Sequence, residues 1–316
     1  MTTEGGRFDL AGRRVWVAGH RGMVGAALAR RLAREDCEIL TVDRAALDLR
    51  HQDRVMEWME EQRPSAVFVA AAKVGGILAN DSYPADFIYD NMMIEANIIH
   101  GAWAVGVAKL LFLGSSCVYP RDAPQPMPES CLLGGPLEPT NQWYAIAKIA
   151  GIKLCQAYRR QYDCDFISAM PTNLYGPGDN FDLAGSHVAP ALIAKAHAAK
   201  QSGAETLAVW GSGQVRREFL HVDDAAEALV HLLTTYSDDE PVNVGRGEDI
   251  TIAELAALVC DVVGFEGGLS FDAGKPDGAP RKLLDVSKME ALGWRAKIPL
   301  REGLARAYDW YREEWL

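Results

Sequence analysis

Val15-Trp16-Val17-Ala18-Gly19-His20-Arg21-Gly22-Met23-Val24-Gly25 decides the fold. A short apolar run meets glycine, and from Met23 to residue 32 the apolar residues return at helical spacing, so the stretch reads as strand, turn and helix. The G-x-x-G-x-x-G spacing sits in the turn. Glycine there permits a tight bend, lets backbone approach a pyrophosphate and allows close helix–strand packing, while the helix N-terminus offers N–H donors. A lone glycine motif is a weak signal, and its placement between strand and helix is what gives it weight.

The same alternation continues outward. Strands are predicted over 38–42, 66–71, 109–113 and 165–170, and helices over 52–62, 91–105 and 141–162. Strands alternating with helices imply an α/β fold with a doubly wound parallel sheet. Residues 1–175 read as one domain, with 218–247 returning to it as a helix (219–233) and a strand (241–245). Residues 176–316, with a helix over 186–200 and a tail rich in Gly, Asp and Pro, read as a smaller substrate-binding domain. Six of the 15 prolines fall between Pro120 and Pro139, marking a shaped loop rather than a helix or internal strand.

Composition narrows the function. The chain has 316 residues, 49% hydrophobic and 24% charged, which is ordinary globular usage. Lys and Arg number 32 against 43 Asp and Glu, a net charge of −11, which argues against nucleic-acid or anionic-membrane binding. No apolar run approaches the roughly 20 residues of a membrane span, and residues 1–14 lack a signal-peptide core, so a cytoplasmic protein is expected. Six scattered cysteines without metal-like spacing suit a reduced compartment, and no metal site is expected.

At the end of the second strand stand Asp43 and Arg44. An acidic residue there accepts from a ribose 2′-OH and favours NAD, whereas arginine pairs with a 2′-phosphate and favours NADP. Arg21 in the glycine loop adds a second positive charge, which favours NADP with Asp43 turned to solvent.

Tyr144 and Lys148 share one face of a helix at i,i+4 spacing. A neighbouring ammonium eases proton loss from the phenol, so Tyr144 can exchange a proton with a carbonyl or alcohol, and Lys148 can hold a cofactor ribose. Ser115 and Ser116 follow the strand 109–113 at its carboxyl end, where open α/β sheets bind ligands. Such Tyr–Lys pairs are commonly surface pairs, so the signal lies in the coincidence with the glycine loop.

With these residues the chain resembles the extended short-chain dehydrogenases/reductases. The likeness continues through 71–76, 83–88, 114–120, 171–177, 186–188, 217–224 and 275–278. More closely it resembles the branch that converts GDP-4-keto-6-deoxy-mannose to GDP-L-fucose by epimerising C3 and C5 and reducing C4 with NADPH. The resemblance implies a Rossmann domain binding NADP(H), a GDP-sugar substrate and a homodimer.

It further implies catalysis by Ser115, Tyr144 and Lys148, with Cys117 as base and His187 as acid. Read alone, Cys117 is a small apolar residue and His187 a capping or structural histidine; a cationic neighbour would suit the thiol to base chemistry. Cofactor contacts are implied for Gly19, His20, Arg21, Gly22, Met23, Val24, Gly25, Arg44, Leu113, Gly114, Ser115, Ser116, Lys148, Pro171, Thr172, Asn173, Leu174 and His187. Lys195, Trp210, Arg217 and Asp277 are implied for the nucleotide-sugar. Two alternatives stay open: another nucleotide-sugar 4-reductase or 4-epimerase, which needs only Ser115, Tyr144 and Lys148, and a non-catalytic dinucleotide-sensing protein.

Overall fold

A computed structural model describes residues 7–183, 185–274 and 278–316. Its elements run β1 (Arg13–Ala18), α1 (Met23–Leu32), β2 (Cys37–Leu40), α2 (Gln52–Gln62), β3 (Ala66–Val69), α3 (Ile77–Ser82), α4 (Pro84–Ala104), β4 (Lys109–Leu113), α5 (Gln142–Tyr162) and β5 (Phe166–Pro171). There follow β6 (Asn173–Tyr175), α6 (Val188–Ser202), β7 (Thr206–Trp210), β8 (Arg216–His221), α7 (Val222–Thr235), β9 (Val242–Val244), β10 (Asp249–Thr251), α8 (Ile252–Val263), β11 (Gly268–Asp272), β12 (Arg281–Lys282), α9 (Ser287–Ala291) and α10 (Leu300–Trp310).

Six parallel strands form the central sheet in the order β2-β1-β3-β4-β5-β9. Every residue of β3 and β4 is buried, Lys109 at the start of β4 through its 2.7 Å ion pair with Asp165 and the others as apolar runs covered by helices on both faces. Strand periodicity divides the side chains. Val15, Val17, Phe68 and Leu111 pack on one face with Leu28 and Leu32 of α1 and Leu229 and Leu232 of α7. Trp16, Val67, Val69 and Phe112 pack on the other with Val55, Met59, Ile98 and Ile152 of α2, α4 and α5. The doubly wound expectation is therefore met.

A third cluster unites Leu192 of α6, Val209 of β7, Phe219 of β8, Leu255 of α8 and Leu304 of α10. Here β8 pairs with β6, β10 and β12, while β7 and β11 form a separate parallel pair. Met289 and Trp294, late in the chain, pack in the first cluster with α7 and β9. Among the described residues no helix is long and apolar enough to cross a membrane.

Some boundaries differ from the sequence reading. The helix expected from residue 91 begins at Pro84, whose missing N–H costs nothing in a first turn. Phe219 is not helical; it lies in β8, and only α7 is helix. The reason is Glu218, fully buried in that strand. Its Oε1 accepts from the N–H groups of Arg246 (2.6 Å) and Gly247 (2.7 Å), and Oε2 accepts from Leu284 N–H (3.0 Å). This carboxylate ties β8 to the turn after β9 and to the segment following β12. The proline-rich loop is fastened to that same segment through Met127 N–H to Leu283 O (2.8 Å) and Asn243 Nδ2 to Met127 O and Asp285 O.

Candidate active site

In the order β2-β1-β3 the chain goes from β1 to β2 on one side and then crosses to β3 on the other, so the crevice opens at the carboxyl ends of β1 and β3. The glycine loop lies there. Gly19 has φ +90°, and a Cβ on it would fall 2.7 Å from the Ala71 backbone; one on Gly25 would fall 2.1 Å from Gly19 O. Both glycines are demanded by the chain's own packing. Gly22 is not, because a Cβ there would meet only Gly19 O at an ordinary 3.5 Å. It begins α1 without a side-chain cap, and the first turn holds no acidic residue. That leaves a helix N-terminus with the donors and dipole an anion requires, so the loop fits a dinucleotide pyrophosphate.

Asp43 keeps part of its side chain in solvent but is paired rather than free. Its Oδ1 lies 2.6 Å from Arg21 Nε and 3.3 Å from His20 Nε2, and its Oδ2 accepts from Arg21 Nη2 at 2.7 Å. A guanidinium is a planar fork that matches a carboxylate, which is why Arg21 folds onto Asp43. Arg44 is exposed.

Ser115 leaves β4 in extended backbone and caps a 3-10 turn over Ser116–Val118, its Oγ accepting from Cys117 N–H at 3.2 Å. The Ser115 hydroxyl lies beside the phenol of the half-buried Tyr144. Loss of water, followed by the nearby Cys117 and Glu95, pushes the Tyr144 phenol well above its usual range, and the Ser115 hydroxyl opposes that rise. One turn further along α5, the buried Lys148 has its Nζ 5.9 Å from the Tyr144 ring centre and 4.7 Å from that of Phe112. Its counter-charge is Glu95 of α4, with Oε1 2.8 Å away and both side chains only 2% exposed. Burial raises the Glu95 carboxyl to about 7 against the opposing pull of Lys148.

Cys117 is held by two donors, Asn141 Nδ2 at 3.3 Å and Lys282 Nζ at 3.7 Å. The cation that base chemistry calls for thus comes from β12, 165 positions along the chain. Asn141 precedes α5 and reaches back to the turn after β4. The structure therefore gathers Ser115, Cys117, Asn141, Tyr144 and Lys282, with Lys148 one turn beyond.

His187 sits at the N-cap of α6, where its residue keeps solvent access although surrounding protein lowers the imidazole below its usual range by desolvation. Its backbone carbonyl accepts from Ala191 N–H at 3.0 Å. The preceding Gly185 accepts from Gly76 N–H at 3.1 Å, seating that loop against the segment after β3.

Of the remaining expected contacts, Leu113, Ser116 and Thr172 are buried, and a Cβ on Gly114 would come within 2.8 Å of Met170 Sδ. Pro171 ends β5, and Asn173 Nδ2 donates to Glu218 O at 2.8 Å. Leu174 is partly buried against the first core cluster. Lys195 Nζ lies 4.7 Å over the Trp210 ring, so α6 and β7 bring these two together, and the indole is half exposed. Burial lowers the Lys195 ammonium. Arg217 projects from β8, with Nη1 donating to Arg216 O at 2.8 Å. Asp277 lies outside the described residues.

Residues 15–245 match the NAD dependent epimerase/dehydratase family. The chain belongs to that family. Within this epimerase/dehydratase family it is 60% identical over 302 residues to a GDP-L-fucose synthase of Sinorhizobium fredii, covering 96% of each chain. Its structure is similar to a GDP-L-fucose synthetase from Naegleria fowleri bound to NADP, with TM-score 0.91 and 30% identity over 99% of this chain and 96% of that one. It is equally similar to a GDP-6-OMe-4-keto-L-xylo-heptose reductase from C. jejuni, with TM-score 0.91 and 35% identity over 97% and 99%.

Sequence reasoning missed Asn141, Lys282 and Glu95. Asn141 stands three residues before Tyr144, so helical spacing could have found it. Neither Lys282 nor Glu95 carries any local signal, because β12 and α4 reach the site only through the folded topology.

Proposed function

We propose that this epimerase/dehydratase-family chain converts GDP-4-keto-6-deoxy-mannose to GDP-L-fucose, inverting C3 and C5 and then reducing C4 with NADPH. The observation that carries the reading is the Cys117 thiol held between Asn141 and Lys282, beside the Ser115–Tyr144 pair. A plain 4-reductase has no use for a thiol so provided.

C3 and C5 both flank the C4 ketone, so one oxyanion site serves both inversions. Ser115 and Tyr144 hydrogen-bond the oxygen as the enolate forms. Cys117, as thiolate, takes the carbon-bound proton, and His187, as imidazolium, gives a proton to the opposite face; no electrons are gained or lost. When bound, NADPH supplies the hydride for C4. Tyr144 then delivers its phenolic proton to O4, a task suited to a phenol held protonated by its surroundings.

The N-terminus of α1 would receive the pyrophosphate, Arg21 and Arg44 the 2′-phosphate, and Lys148 the nicotinamide ribose. Lys195, Trp210, Arg217 and Asp277 would take the GDP-sugar. Residues 1–175 with 218–247 would carry the dinucleotide, and the rest of 176–316 the sugar nucleotide. We place the protein in the cytoplasm, where its free cysteines stay reduced. A homodimer would cover Tyr89 and Met92 of α4 and Trp143 and Ile146 of α5, apolar residues exposed on two helices packed side by side.

The test is loss of reduced-nicotinamide absorbance when the sugar nucleotide is added to enzyme and NADPH. Wild type oxidises the cofactor; Tyr144→Phe binds it, seen by fluorescence, without oxidising it. Wild type behaving like Tyr144→Phe would make the chain a binding protein.

A further inference from the structure

We propose that Glu95 is a positioning residue for the reduction, its carboxylate reaching from α4 to hold the Lys148 ammonium in place beneath Tyr144. The inference rests on Tyr144 and Lys148 forming the reductase pair.

Three observations carry it. The first is a buried ion pair, 2.8 Å long, between side chains each 2% exposed. Taking two charges out of water carries a desolvation cost that their attraction does not readily repay, so such a pair is poorly explained by stability alone. The second is its isolation: neither Glu95 oxygen has a well-aligned hydrogen bond, and the ammonium is the only cation against it among the described residues. The third is the room made for it. A Cβ on Gly151 of α5 would lie 2.3 Å from Phe112 Cζ and 2.8 Å from Glu95 Oε2, so glycine here leaves room between α4 and α5 for both the ring and the carboxylate.

The titratable groups facing Glu95 are Lys148, Tyr144 and Cys155, and its charge opposes ionisation of both Tyr144 and Cys155. Cys117 presses on Tyr144 in the same sense. Glu95 therefore has two effects: it fixes where the ammonium sits, and it helps keep the phenol protonated.

Glu95→Gln tests both. Reductive kcat is expected to fall about 10- to 100-fold, the loss that a misplacement near 1 Å produces, with KM for the sugar nucleotide within twofold. The alkaline limb of the kcat profile moves to lower pH, since the phenol loses an anionic neighbour. Deuterium entry at C3 and C5 in heavy water, which needs Cys117 rather than Lys148, stays within threefold. A merely structural role would leave the limb in place, and exchange and reduction would fall together; either result overturns the proposal. Should Glu95→Gln fail to fold, Glu95→Asp carries the test, because it keeps the charge but draws it back by a methylene. Lowered kcat with an unmoved limb supports positioning, and unchanged kcat refutes it. A wild type that never oxidises NADPH would instead refute the underlying reading.

Discussion

Replacing Lys282 with methionine removes an ammonium from 3.7 Å of the Cys117 sulfur while keeping the length of the side chain. Opposite unit charges about 4 Å apart attract by about 4 kcal/mol at an effective dielectric near 20. Lys282 is only partly buried and Asn141 still donates at 3.3 Å, so water and the amide recover more than half of that. What remains, about 1.5 to 2 kcal/mol, corresponds to a roughly 10- to 30-fold slower proton removal. The assay is NMR of deuterium entry at C3 and C5 of GDP-4-keto-6-deoxy-mannose in heavy water, with NADPH withheld. NADPH affinity should be unchanged, because Lys282 lies on β12 and away from the glycine loop. Exchange within twofold of wild type would refute the claim that this ammonium serves the thiolate.

Other consequences follow from single contacts. Gly25→Ala places a methyl 2.1 Å from Gly19 O, and a calorimetric scan should show loss of stability of about 1 to 3 kcal/mol together with lost dinucleotide affinity. Asp43→Ala frees Arg21 from its carboxylate fork, so the NADPH Kd by fluorescence should tighten several-fold while that for NADH does not. Burial holds the Glu95 carboxyl at about 7 against an ordinary 4.5, so the folded chain binds that proton more tightly than the unfolded chain. Its contribution to stability is full below about 4.5 and declines as pH rises to about 7; urea titrations of Glu95→Gln should show that decline removed. Ile146→Glu, on the exposed face of α5, should halve the mass measured by light scattering.

The central sheet was legible because its strands are short apolar runs broken by glycine, and α1, α2 and β4 fall where periodicity placed them. β8 was not legible. Arg216, Arg217 and Glu218 open it with three charged residues, and only the folded chain supplies the backbone donors that let Glu218 be buried. β7 and β11 pair across 62 positions of register, as in Gly268 with Thr206, which no local pattern reports. In the site, Ser115, Tyr144 and Lys148 could be picked out because helix spacing and the end of a strand place them. The pairing of Asp43 with Arg21 was not legible, since which partner an exposed carboxylate chooses depends on where the glycine loop puts Arg21. Lys282 and Glu95 come from elements whose approach is set by packing, and a lysine or glutamate alone in sequence is ordinarily a solvated charge.

The bifunctional assignment is decided by conversion of GDP-4-keto-6-deoxy-mannose with NADPH in heavy water, followed by NMR of the product. The expected product is GDP-L-fucose carrying deuterium at both C3 and C5. Oxidation of NADPH that yields a product protonated at both carbons, with the configuration of the starting sugar, would contradict that assignment and return Cys117, Asn141, Lys282 and His187 to structural roles.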